Sequence, residues 1–359
     1  MTADAPAPED APNRKTIALR TGLTVVIATA GGFVAQTTGM PAGWLMGAAV
    51  ATAAVALGGI KLAMPQWLRD IAFILTGMSM GTNVARDSMS LLAQWPVSLI
   101  ALAIELAIVI AATGYMLRRF FGLDTSTAYL SSFPGHLSFI MGIASAGLGD
   151  PRQITIIQVI RILMLTICVP AGALFLPVEA AGATAVQPVM TNEMLIVLAV
   201  LCTAAGFAFT RLNVPAGYVL GAMAAATAAK LGGLFDGVLP PPLQIASYVL
   251  IGGLIGARFI GITMTEFRRA AFGGFIATMM TVAIVTAIAF IASLFVEMPF
   301  GQLWLGLSPG ALEGMGALGV ALGYDTAFIA AHHVARLLML TAAIPSVAFL
   351  LSAAERKRA

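Results

Sequence analysis

Val159-Ile160-Arg161-Ile162-Leu163-Met164-Leu165-Thr166 returns as Val334-Ala335-Arg336-Leu337-Leu338-Met339-Leu340-Thr341, at an offset of 175. Asp150 and Asp325 precede the two copies, and Pro170 and Pro345 follow them. Working outward, Pro134-Gly135-His136-Leu137 pairs with Pro309-Gly310-Ala311-Leu312 at the same offset. Leu75, Gly77 and Gly81 pair with Leu250, Gly252 and Gly256. Pro41-Ala42-Gly43-Trp44-Leu45-Met46-Gly47 pairs with Pro215-Ala216-Gly217-Tyr218-Val219-Leu220-Gly221 at an offset of 174. A near-constant offset, carried by Pro, Gly and Arg rather than by Ala, marks an internal duplication. The expected organisation is a disordered tail over 1–15, a first membrane repeat over 16–176, an extracytoplasmic linker over 177–192, a second repeat over 193–351 and a basic cytoplasmic tail over 352–359.

Composition places both copies in a bilayer. Hydrophobic residues make up 59% of the 359 and charged residues 10%, with mean hydropathy +0.95. A soluble domain carries roughly 25% charged residues. From Thr21 to Ile60 there is no charged side chain. Forty helical residues would run about 60 Å, twice a bilayer core of about 30 Å, so the stretch reads as two spans broken near Gln36–Pro41. The net charge of +3 points to membrane topology, not to nucleic acid: no basic face interleaved with aromatics accompanies it. Met1–Asn13 lacks the basic start of a signal peptide. Cys168 and Cys202 sit alone in apolar runs without metal-ligand spacing.

Each half carries six hydrophobic segments. The fifth is interrupted in both, at Pro134-Gly135 and at Pro309-Gly310, and broken segments at matching positions point to a transporter's binding site. Charge sidedness distinguishes crossing from re-entry. Setting Arg161 and Arg336 aside, the other 17 Lys and Arg divide 11 to 6 if every segment crosses. They divide 15 to 2 if both fifth segments dip in and return. The sharper bias favours re-entry. Five spans per half then give two inverted halves in an all-α polytopic membrane protein, with both termini cytoplasmic.

Ionisable residues within spans cost on the order of 3 kcal/mol each and need a reason. Arg161 and Arg336 hold equivalent places and could capture an anion through a guanidinium fork or pair with a carboxylate or carbonyl. With them, Pro134, Gly135, His136, Ser138, Pro309, Gly310 and Glu313 make up the expected substrate site. Glu105, Asp150, Asp325 and Glu313 are candidates for coupling to a proton or cation. His332 and His333 are adjacent and face different sides of a helix, so they are not a facial metal pair. The paired small residues Gly43/Gly47, Gly217/Gly221, Gly77/Gly81 and Gly252/Gly256 read as helix-packing positions.

These motifs resemble the membrane AbrB family, a duplicated family also labelled an ammonia monooxygenase, and the resemblance runs over about 20–350. The family's motif at the break reads Pro-Gly-Gly-Leu-Ser-Glu. Here His136 and Ala311 replace the second Gly, Phe139 replaces the acid, and Glu313 arrives one place early. The resemblance implies a transporter-like membrane protein related to antiporters and anion carriers. The labels attached to the family also include regulation of gene expression and transport of small acids such as shikimate.

The leading expectation is a secondary transporter of a small organic anion in the cell (inner) membrane, coupled to a proton or cation. It needs no cofactor or metal, is not an enzyme and binds no nucleic acid; its partners are the anion, the coupling ion and the bilayer, with homo-oligomerisation left open. The alternatives are a membrane protein affecting gene expression and a monooxygenase-like enzyme.

Overall fold

The computed structural model describes residues 13–84, 95–135, 137–173 and 188–356. They form fourteen helices and no strand. The first half comprises α1 (Arg14–Thr37), α2 (Gly43–Leu57), α3 (Gln66–Thr82), α4 (Trp95–Phe121), α5 (Thr125–Ser132), α6 (Leu137–Ser145) and α7 (Pro151–Ala173). The second comprises α8 (Asn192–Arg211), α9 (Gly217–Leu231), α10 (Pro241–Ala257), α11 (Met264–Ser293), α12 (Phe300–Leu307), α13 (Leu312–Leu322) and α14 (Thr326–Arg356).

Six of these, α1, α4, α7, α8, α11 and α14, are long and apolar enough to cross a membrane. Their outward faces carry exposed Leu19, Phe33, Ile100, Phe272, Phe290 and Phe349, an apolar surface that water would not tolerate but lipid would. The four helices expected as further spans are shorter: α2 and α9 have 15 residues, α3 and α10 have 17. The cause is local. Ala42 and Ala216 both adopt φ of 52°, making a tight turn that delays the start of α2 and α9. Gly58 and Gly232 then end those helices.

These short helices interlock the halves. A Cβ on Gly77 would lie 2.2 Å from the Val219 carbonyl oxygen, and one on Gly81 would lie 2.5 Å from that of Met223. The reciprocal pair does the same: Gly252 against Leu45 and Gly256 against Ala49. So α3 rides on α9 and α10 rides on α2, each pair parallel and in direct backbone contact. Between equivalent helices the direction is opposite. Phe121, at the end of α4, packs on Gly273 and stands 5.7 Å from the Phe272 ring, near the start of α11. Thr113 and Leu117 in turn meet Ala277, Thr278 and Thr281. Antiparallel equivalents with exchanged partners are what an inverted repeat produces, and this packing supports that reading.

The broken segments are hairpins. The Asp150 amide donates to the Thr127 hydroxyl at 2.7 Å, so the chain leaving α6 returns to the start of α5. The Asp325 amide donates to Gln302 Oε1 at 3.2 Å, closing the second segment at the equivalent position. Each arm is too short to cross: eight residues of α5 span about 12 Å. The charges agree. Arg152, just past the first hairpin, bonds Glu266 at the start of α11 at 2.8 Å, beside the loop after α4. In a Cys-free background, Arg119→Cys and Gln153→Cys are therefore expected to react with an impermeant maleimide from one side of the membrane, and Thr38→Cys from the other. Labelling of the first two from opposite sides would mean that the segment crosses. The expected linker and N-terminal tail fall largely outside the described residues, while α14 continues through 352–356 of the expected C-terminal tail.

Candidate functional site

Two half-helices that stop in the middle of a membrane protein leave carbonyls without helical partners. In this fold Gln158 and the two repeat arginines supply those partners. Arg161 Nη1 and Nη2 donate to the carbonyls of Ser131 and Phe133 at 3.3 and 2.9 Å. Arg336 Nη1 donates to Ser308 at 2.8 Å, and its Nη2 to Gly306 and Leu307 at 3.0 and 2.7 Å. Each guanidinium thus caps the C-terminal end of α5 or α12, where the helix dipole also favours a cation. Gln158 adds a bond from Nε2 to the Leu130 carbonyl at 3.3 Å. Of the pairings open to these arginines, the carbonyl is the one formed. The Nε atoms of both remain without a hydrogen-bond partner.

Beneath the two breaks lies a cavity of about 530 Å³. Pro134, Gly135, Pro309, Gly310, Glu313, Arg161 and Arg336 all line it, so the structure brings together most of the expected substrate site. His136 lies outside the described residues. Ser138 is the second residue of α6, near the same break. The first turn of α13 also faces the cavity. Its N-cap, Ala311, brings no side-chain acceptor to the first-turn amides.

Arg69, Arg258, Gln158 and His333, which are not among the expected substrate-site residues, also line the cavity. Arg258 Nη2 stands 3.4 Å from Glu313 Oε1, a long single contact. Arg69 keeps a buried Nε without a partner. They come from the start of α3 and the end of α10, helices that meet antiparallel through the 2.9 Å Thr76–Ser247 hydroxyl contact. No local motif announces that meeting. Gln158 and His333, however, are repeat equivalents at offset 175, a legible signal. In all, four arginines and one glutamate line the cavity, an excess of three positive charges.

The coupling candidates separate. Asp150 Oδ1 accepts from the amides of Arg152 and Gln153 at 2.8 and 3.2 Å. Asp325 Oδ1 accepts from the Ala327 amide at 2.9 Å. Both cap their helices and neither lines the cavity. Glu105, on α4, is 0% exposed, and neither of its oxygens has a hydrogen-bond partner. It lies outside the cavity lining. Only Glu313 among the four faces the cavity. Among the described residues no three His, Cys, Asp or Glu side chains converge as a metal site would need.

The family described as "Transition state regulatory protein AbrB" matches this chain over residues 1–92 and 44–352. The chain belongs to the AbrB family. It is 24% identical over 351 residues to the uncharacterized protein YhjN of Bacillus subtilis (strain 168), covering 89% of this chain and 90% of that one. It is 27% identical over 330 residues to a protein of Escherichia coli (strain K12) named as a regulator, AbrB, covering 89% and 92%. This AbrB-family chain is a helical protein with six helices long and apolar enough to cross a membrane.

Proposed function

We propose that this AbrB-family protein is a secondary transporter of a small organic anion, a carboxylate of shikimate-like size, coupled to a proton or cation. The observation that carries the reading is the cavity itself: two broken helices from opposite halves meet there, and its lining carries four guanidinium groups against one carboxylate. Low-dielectric walls strengthen such a field and draw anions in. Oppositely directed halves let either half take the conformation of the other, which is how inverted repeats alternate access. Glu313 inside the cavity and Glu105 behind Arg336 are the groups suited to couple a cation. On this reading the protein lies in the inner membrane with both termini cytoplasmic and performs no catalysis. The regulatory name of the family then reflects an indirect effect of the carried metabolite on expression.

Uptake of radiolabelled carboxylates into proteoliposomes under an imposed ion gradient tests it. At least one acid is expected to accumulate. Arg258→Ala, at the cavity edge, is expected to lower uptake about 10-fold by removing one charged donor. No uptake of any acid, with or without a gradient, would sink the reading.

A further inference from the structure

We infer that the coupling ion is a proton, that Glu313 takes it up when the anion binds, and that anion and proton therefore cross together in one direction; this rests on the anion-carrier reading above. Among the described residues Glu313 is the one carboxylate lining the cavity. Its side chain is 10% exposed, and its Oε1 accepts from Arg258 Nη2 at 3.4 Å. The charged and titratable groups around it are Arg69 on α3, Arg258 on α10, Arg161 on α7, and His333 and Arg336 on α14. A hard metal cation takes about six oxygen ligands. Here a single carboxylate, already held by Arg258, stands among four guanidinium groups. A proton needs only one oxygen.

The four guanidinium groups are not equally available to a ligand. Arg161 and Arg336 are 6% and 2% exposed and give their Nη hydrogens to the carbonyls at the two breaks. Arg69 has a buried Nε and lies over the Phe73 ring. Arg258 is the open one: its side chain is 28% exposed, and among the described residues its one hydrogen bond is the long contact to Glu313. An anion in the cavity thus finds free donors on Arg258 and settles beside Glu313. Two carboxylates then share one guanidinium, and like charges that close do not both stay ionised. The ligand takes the guanidinium and Glu313 takes a proton. Glu313 thereby gains an O–H and turns from a competitor of the ligand into a donor to it. The site is one-sided. The repeat equivalent of Glu313 is Ser138, whose hydroxyl carries no charge, so one anion brings one proton.

Calorimetry on the purified full-length protein tests this with lactate, malate, benzoate and cyclohexanecarboxylate, all ionised between about pH 6.5 and 8. Repeating each titration in buffers of different ionisation heat counts the protons taken up. An acid that binds is expected to bring about one proton with it, and its affinity to fall by up to about 10-fold for each unit rise in pH. Glu313→Gln mimics the protonated acid. It is expected to take up no proton, and to bind at every pH about as tightly as the wild-type protein does at the acid end. In proteoliposomes it is expected to keep exchange of the acid across the membrane and to lose accumulation driven by a pH gradient. Anion binding to the wild-type protein without proton uptake overturns the inference, whether or not the variant folds. So does proton uptake that survives Glu313→Gln, which would put the proton on another group such as His333. If no acid binds at any pH, the anion-carrier reading itself fails, an outcome distinct from binding without a proton.

Discussion

Arg336→Ala is expected to abolish uptake and to lower the melting temperature of the ligand-free protein. The side chain holds three backbone carbonyls at the end of α12. Its removal leaves them buried without donors, at about 1–3 kcal/mol for each group left unsatisfied. A loss of even about 3 kcal/mol at the break lowers the population of the assembled site about 100-fold. Arg336→Lys is not expected to rescue, because one ammonium cannot span three carbonyls as a planar fork does. Arg161→Ala, which releases two bonds, one of them at 3.3 Å, is expected to cost less. The measurements are initial uptake rate and thermal unfolding without substrate. If Arg336 served only to touch the anion, the ligand-free melting temperature would not move. That outcome would reject the capping role and leave the anion-capture role standing.

The same arginine marks how far sequence reasoning carries. The repeat was legible because prolines, glycines and arginines are placed by backbone need, and duplicated needs leave duplicated residues. The break in both fifth segments was legible too, since Pro-Gly at matching positions interrupts a helix. What Arg161 and Arg336 bond was not legible. A lone arginine in an apolar helix reads equally as an anion hook or as a helix cap, and only the position of the carbonyls at Ser131, Phe133 and Gly306–Ser308 decides. Asp150 and Asp325 pose the same kind of ambiguity. Their regular placement before α7 and α14 is explained by capping, a local need that repeats as faithfully as a functional one. Arg69 and Arg258 escaped notice because they join the cavity through α3 and α10 of opposite halves. Pairing across halves is a tertiary fact with no fixed spacing in the chain.

That pairing sets the second large effect. Gly77→Ala and Gly252→Ala are each expected to destabilise the protein by about 1–3 kcal/mol, the usual cost of overpacking. The added methyl of Gly77→Ala would sit 2.2 Å from the Val219 oxygen and 2.9 Å from Ala222 Cβ. That of Gly252→Ala would sit 2.4 Å from the Leu45 oxygen and 2.7 Å from Ala48 Cβ. The obstacles include backbone, so no rotamer change relieves them and α3 must move from α9, or α10 from α2. Gly→Ala within a helix is otherwise favourable by roughly 0.5–1 kcal/mol. Gly22→Ala on α1, with nothing within 4 Å of the added methyl, is therefore the control and is expected to be neutral or stabilising. Thermal unfolding in detergent reads all three. The two interlock variants should cost alike, because they are the same contact made twice with the halves exchanged. A large cost at Gly77 with none at Gly252 would show that the two interlocks are not energetically equivalent, and would remove the packing support for a symmetric exchange between the halves.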